Sequence, residues 1–279
     1  MITSSRTADS ATIADHYNEL DLFYREVWGE HVHHGLWISG DEDPDQAVVQ
    51  LVQLVAEKAK ITSGARVCDI GSGYGAAARF LARQMGARVT AVTVSESQHS
   101  YACKLDPSGN PTYILSDWLK TELIPESFDA AFAIESSEHM ADKAAFFSRA
   151  LSILKSGGRL VVCSWVVAEP ASCSQKKRLL EKICREGRMP HLLNADELLS
   201  AAQSTGFRAI DHHDLSQKVS RTWSVVIFRF AKRLISDSRY RTFLLQPGRH
   251  NRVFAGTIFR IWLAYRTQAM RYGIFTFQK

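Results

Sequence analysis

The stretch VCDIGSGYGAA, residues 67 to 77, constrains this chain more than any other. An apolar, strand-like run ends in Asp69, and Gly71, Gly73 and Gly75 lead directly into a helical pattern. A ligand that approaches the backbone at the carboxyl edge of a sheet needs positions without a side chain. Dinucleotide-binding folds space these glycines as G-x-G-x-x-G and lay a pyrophosphate on the helix N-terminus. Here the third glycine comes one residue early, giving D-x-G-x-G-x-G, and the loop contains no arginine or lysine. An acid beside the ligand favours a cationic partner over a pyrophosphate.

The surrounding pattern supplies a sheet for that loop. ARVCDI and ARVTAVTV read as strands, and GAAARFLARQM and SESQHSYACKL as helices, the second opened by Ser95. TYILS, FDAAFAIES and GGRLVVCSWVV are further strands, with the helix DKAAFFSRALSIL between the last two. Strand and helix alternating in this way predict a parallel sheet with helices on both faces. Upstream, residues 11 to 28 read as a helix, Gly29, Gly35 and Gly40 break the next stretch, and Asp43-Pro44 starts a helix through Ala59. After Trp165 the rhythm changes. Residues 174 to 186 look helical, and Asn194 with Glu197 makes a capping start for ADELLSAAQST. GFRAIDHHD is a strand-like return, followed by two basic helices, about 220 to 236 and 251 to 270, and a last apolar strand, YGIFTFQ.

Composition narrows the class. The 279 residues are 46% hydrophobic, enough for one large core. No run approaches the roughly 20 apolar residues that span a bilayer, and the N-terminus lacks the apolar block of a secretory signal. The five cysteines show no CxxC spacing and read as reduced thiols of a cytoplasmic protein. The net charge of +5 conceals an asymmetry: from Arg221 to Lys279 twelve Lys/Arg face a single acid, Asp237. Such a region is either a set of solvated helix faces or an attractor for an anionic substrate, a membrane surface or nucleic acid.

A second cluster raises its own question. VWGEHVHHGLW holds His31, His33 and His34 beside Glu30 and two tryptophans. Imidazoles serve as metal ligands, proton carriers or polar pocket walls, and no acid or cysteine group at ligand spacing completes a metal site. No metal is therefore expected.

Taken in order, VCDIGSGYG, VTAVTVSESQ, SDWLK, FDAAFAIESSEHM and LKSGGRLVVCSW resemble the motifs of a class I S-adenosylmethionine-dependent methyltransferase. More narrowly, WGEHVHHGLW, ESSEHM and the T-x-S-x-x-Q of Thr93, Ser95 and Gln98 are similar to the gamma-tocopherol methyltransferase group, a relative of sterol, cyclopropane-fatty-acid and natural-product methyltransferases. Thr93 and Gln98 stand where an acid usually holds ribose hydroxyls. The resemblance runs from about residue 12 to the C-terminus. It implies a Rossmann-like, doubly wound α/β fold with seven mostly parallel strands, an N-terminal helical lid and a helical insertion before the last strand. Residues 1–60 would form the lid, 61–170 the cofactor-binding core and 171–279 the acceptor-pocket helices and final strands, in one compact domain.

The resemblance also distributes roles. S-adenosyl-L-methionine would be the cofactor and S-adenosyl-L-homocysteine its product. Gly71 and Gly73 would take the methionine end near Asp69, Thr93 and Gln98 the ribose, and Asp117 and Trp118 the adenine. Glu135 would lie beneath the cofactor, and Tyr17, His33, His34 and Trp37 would line the lid, with Tyr17, Trp37 or Tyr74 offering a ring face to the sulfonium. Glu138 and His139 are the candidates for removing a proton from the acceptor, with His34 in the alternative cluster; a positioned base contributes roughly 100- to 10,000-fold. The same residues could instead only brace the site. The aromatics Trp223, Phe228, Phe230, Phe259 and Trp262 predict an apolar acceptor pocket. The expected acceptor is a hydrophobic or aromatic small molecule, with no nucleic acid, peripheral membrane contact through the basic helices, and oligomerisation left open. Competing readings are a lapsed methyltransferase-fold binding protein, a nicotinamide oxidoreductase without its ribose acid, and an RNA methyltransferase without N-P-P-Y, whose place is taken by Glu135-Ser136-Ser137-Glu138.

Overall fold

A computed structural model of the chain describes residues 1–4, 9–169, 171–245 and 254–279. The order is β1 (Ile2–Thr3), α1 (Ser10–Val27), α2 (Pro44–Lys58), β2 (Arg66–Ile70), α3 (Ala76–Met85), β3 (Arg88–Thr93), α4 (Glu96–Leu105), β4 (Thr112–Leu115), β5 (Phe128–Ile134), α5 (Lys143–Ile153) and β6 (Leu154–Val167). Then come α6 (Cys173–Gln175), a π-helical turn (Lys176–Leu180), α7 (Glu181–Glu186), β7 (His191–Leu192), α8 (Ala195–Ser204), β8 (Arg208–Asp214), α9 (Ser216–Val219), α10 (Arg221–Ser236), α11 (Ser238–Leu245), α12 (Phe254–Arg266) and β9 (Met270–Gln278).

Seven strands form one sheet in the order β4-β3-β2-β5-β6-β9-β8. The first five are parallel, and β9 enters antiparallel between β6 and β8. The fold is thus the mixed, mostly parallel α/β sheet that the strand-helix alternation implies. Strand alternation divides the core between its faces: Val67, Phe132 and Val161 join one apolar cluster, and Cys68, Ala131 and Val162 the other. Strand order reverses between β2 and β5, so the carboxyl ends of β2, β3, β4 and β5 open a crevice where ligands of such sheets bind.

Local chemistry sets the helix starts. Asp9, Asp43, Ser95, Asp142 and Asn194 each cap a helix by accepting from a backbone N–H, and Asn194 with Glu197 forms a complete capping box. Three elements, β1, β7 and α11, lack a clear sequence signal. The pairing of β1 with β7 is only two residues long, and α11 follows α10 after a single residue, Asp237. The later basic helix was expected over 251 to 270; its described part ends at Arg266, because β9 begins at Met270. No helix among the described residues is long and apolar enough to cross a membrane.

Candidate active site

The β2–α3 loop shapes the crevice in an unequal way. All three glycines have positive φ, +80° at Gly71, +54° at Gly73 and +75° at Gly75. A Cβ on Gly71 would lie 2.3 Å from Ser136 Cβ, and one on Gly75 would lie 2.5 Å from the Tyr113 ring. Those two glycines admit neighbouring protein. A Cβ on Gly73 would meet nothing nearer than Gln98 Nε2 at 3.8 Å. The open side of the loop is therefore at Gly73, while Gly71 borders the same cleft with its Cα packed towards Ser136.

A cleft of about 400 Å³ opens from this loop. Its walls come from successive strand ends: Gly71 and Gly73 after β2, Thr93 and Gln98 after β3, Asp117 and Trp118 after β4, Glu135 and Ser136 after β5. Thr93 Oγ1 donates to Gln98 Oε1 at 3.2 Å, fixing the pair. Asp117 accepts from Leu119 N at 2.9 Å, and Trp118 is buried with Nε1 donating to Phe146 O at 3.4 Å. Behind the loop lies a recess of about 40 Å³ lined by Asp69, Ser72, Tyr74, His31 and His33. Asp69 Oδ2 and Ser72 Oγ are buried there without a hydrogen-bond partner, and burial pushes the Asp69 carboxyl up to about 8. A buried acid with an unused oxygen beside an open glycine fits a positively charged group.

A second chamber of about 90 Å³ adjoins the cleft. Tyr17, Val32, Glu135 and His139 border both. His16 and Tyr24 of α1, Trp28, His34, Trp165 and Trp223 supply its aromatic walls, and Glu138 and Glu186 its acids. At the junction Tyr17 Oη lies 2.9 Å from His139 Nε2, and His139 Nδ1 lies 3.3 Å from Arg188 O. A carbonyl only accepts, so Nδ1 carries the ring proton and Nε2 accepts from the phenol. Burial pulls His139 down to about 4, so its imidazole is neutral at pH 7. Glu138 accepts from Trp165 N at 2.7 Å, and burial pushes its carboxyl upward. Lys143 neighbours it, donating to Met140 O at 2.7 Å.

The histidine cluster is spent on internal bonds. His31 Nδ1 and His33 Nε2 lie 3.0 Å apart, and His33 Nδ1 donates to His34 O at 2.8 Å. His34 Nε2 accepts from Trp223 Nε1 at 2.6 Å, and its Nδ1 lies 2.9 Å from Glu135 Oε2. With both ring nitrogens engaged, His34 positions Glu135 and is not poised to take a proton. Trp37 also departs from the expected lid wall: its ring packs under Arg221 and its Nε1 donates to Thr222 Oγ1 at 3.3 Å. Tyr74 reaches the recess but hydrogen-bonds to Asp21 Oδ1 at 2.9 Å.

Of the five aromatics expected to build the acceptor pocket, Trp223 lines the chamber. Phe228 and Phe259 are 70% and 55% exposed, Phe230 packs on Tyr240, and Trp262 stacks on Phe259. The helical period explains the miss: Trp223, Val226 and Phe230 share the inner face of α10, while Phe228 falls on the outer one. Trp28, Trp165, Ile183, Glu186 and Met189 complete the chamber without a sequence signal that separates them from ordinary core.

The family model for mycolic acid cyclopropane synthetase matches residues 4–238. The chain belongs to that family. It is 28% identical to the chloroplastic tocopherol O-methyltransferase of Arabidopsis thaliana, covering 96% of this chain and 81% of that protein. It is 26% identical to the 27-O-demethylrifamycin SV methyltransferase of Amycolatopsis mediterranei, over 74% and 76% of the two chains. A solved mycolic acid cyclopropane synthase in complex with SAH and CTAB superposes with a TM-score of 0.84 at 18% identity, over 99% of this chain and 100% of the other, a likeness of fold. This member of the family is an S-adenosylmethionine-dependent small-molecule methyltransferase. The cofactor supplies an electrophilic methyl on a charged sulfur, and Gly73 in the cleft with Asp69 in the adjoining recess suits its cationic methionine end.

Proposed function

We propose that the protein transfers a methyl group from S-adenosylmethionine to a hydrophobic or aromatic small molecule of natural-product type, phenolic, prenylated, polyketide or alkaloid-like. The carrying observation is that the cleft and the aromatic chamber meet at Tyr17, Glu135 and His139. In this reading Gly71, Gly73, Asp69 and His33 hold the methionine end, Thr93 and Gln98 the ribose, and Asp117 and Trp118 the adenine. Of the expected lid, α1 and the segment through His34 border the two spaces. Burial of the junction excludes water, and the chain's main contribution is to align the two reactants. The chamber's size bears on the acceptor. An apolar cavity of about 150 Å³ holds benzene, so in this reading the smaller chamber takes the reacting group while the remainder extends outward or widens it.

Proton removal falls to the junction. A proton leaving the acceptor can pass to Tyr17 Oη as Tyr17 gives its own to His139 Nε2, or pass to Glu138 on the chamber side. His139→Ala or Glu138→Gln should lower turnover at least tenfold while calorimetric affinity for S-adenosylhomocysteine stays within about twofold. Equal losses of binding and rate would assign both residues a bracing role. Efficient methylation of only small polar acceptors such as glycine would overturn the apolar reading.

A further inference from the structure

Glu135 is held in place at some cost. It closes β5 with φ at +53°, a left-handed conformation that a non-glycine residue adopts only when its surroundings impose it. Its side chain is 10% exposed. Oε1 accepts from His34 N at 2.7 Å and Tyr272 Oη at 2.8 Å, and Oε2 from His34 Nδ1 at 2.9 Å and Trp165 Nε1 at 3.1 Å. The backbone amide and the indole can only donate.

None of the four donors carries a charge. The Trp223 indole N–H also can only donate, so the His34 Nε2 that it meets bears no proton and the His34 ring is neutral. The neighbouring acids differ. Glu186 pairs with Arg260, and Glu138 lies near Lys143. Among the described residues Glu135 has no ion pair other than the contact to this neutral ring. Buried charges are ordinarily paired, and this one borders both the cleft and the chamber.

We propose that Glu135 is a fixed counter-charge for a cationic centre at the junction, brought there by a ligand. The cation is the charged sulfur of the cofactor, a cationic nitrogen of the acceptor, or each in turn. The proposal rests on the methyl-transfer reading and adds to it a preference for positive charge at the point of transfer.

Two calorimetric comparisons test it. The first titrates the protein with S-adenosylmethionine and with S-adenosylhomocysteine, which differ by one methyl and one charge. The second titrates protein saturated with S-adenosylhomocysteine with tetramethylammonium chloride and with tert-butanol, near equals in size, against a sodium chloride blank; indole fluorescence reports filling of the chamber. We expect the cationic member to bind at least tenfold tighter in one or both pairs. Preference in the first pair identifies the sulfonium as the cation, and preference in the second an acceptor nitrogen. Glu135→Gln should bring the preferred pair to within about twofold, and Glu135→Asp, which withdraws the charge by one methylene, should reduce the preference partway. No preference in either pair overturns the proposal, whether or not a variant folds. So does a preference undiminished in Glu135→Gln. Binding of both nucleosides without charge preference sinks this proposal alone. Failure of both nucleosides to bind sinks the cofactor reading and this one with it.

Discussion

The cleft and the chamber touch at the same few residues, yet they are built on opposite principles. The cleft is written by the sheet. Its walls are mainly strand ends taken in sequence, with Ile13 and Tyr17 of α1 closing one side, and its position follows from where strand order reverses between β2 and β5. The chamber is written by side chains. His16 and Tyr24 come from α1, Trp165 from β6, Trp223 from α10 and Ile261 from α12, gathered around Glu135 at the end of β5. A backbone-built site should fail when the backbone is crowded. A side-chain-built site should fail in graded steps as single contacts are lost.

The largest expected effect separates the glycines. Gly73→Val fills the open side of the loop, and binding of S-adenosylhomocysteine should fall more than a hundredfold in calorimetry, while circular dichroism retains the folded spectrum. Gly75→Val drives its Cβ into the Tyr113 ring and should chiefly lower the melting temperature. If Gly73→Val unfolded the protein as readily as Gly75→Val, the division between ligand-facing and packing glycines would be wrong.

This contrast also explains what was legible in the sequence. The cleft residues lie in short contiguous motifs whose spacing reflects strand-to-helix turns, so Gly73, Thr93, Gln98, Asp117 and Glu135 could be named with the sheet unseen. The chamber residues are joined only by folding. Nothing in the sequence distinguishes Trp223, which lines the chamber, from Phe228 on the same helix, which faces solvent. Helical phase decides that, and a one-residue uncertainty in a helix start rotates the face by about 100°. The histidine cluster was visible as a cluster, but its use was not, because its decisive partners, Trp223 and Glu135, lie more than 100 residues away.

Acidity sharpens the comparison, because one buried group on each side should respond to pH with opposite sign. On the chamber side, burial depresses His139 from 6.5 to about 4. The unfolded chain binds that proton first, so the stability His139 contributes is present above pH 6.5 and lost as pH falls towards 4. At 1.36 kcal/mol per unit the loss is roughly 3 kcal/mol. On the cleft side, burial raises Asp69 from 3.8 to about 8. The folded chain keeps that proton longer, so its contribution is present at low pH and declines as pH rises towards 8. His31 and His33 act in the sense of His139, and Glu138 in the sense of Asp69. Difference curves isolate the two residues. Wild type should lose stability relative to His139→Gln on acidification, and relative to Asp69→Asn on alkalinisation, both read by urea unfolding without ligand. Curves of the same sign would erase the distinction.

The smallest effect probes the seam between the two spaces. Trp223→Phe keeps an aromatic ring on the inner face of α10 but removes the N–H that meets His34 Nε2 at 2.6 Å. A buried acceptor left without its donor costs about 1–3 kcal/mol, and urea unfolding should show a loss in that range. Affinity for S-adenosylhomocysteine should change little, because Trp223 belongs to the chamber and not to the cleft. The consequence for charge is more specific. In wild type the indole holds the His34 ring neutral and leaves Glu135 without a counter-cation. In Trp223→Phe the freed Nε2 is open to a proton, and an imidazolium there would neutralise Glu135 from within the protein. The preference for S-adenosylmethionine over S-adenosylhomocysteine should then be smaller in the variant than in wild type. An equal preference in the two proteins would show that the indole does not set the charge at the junction.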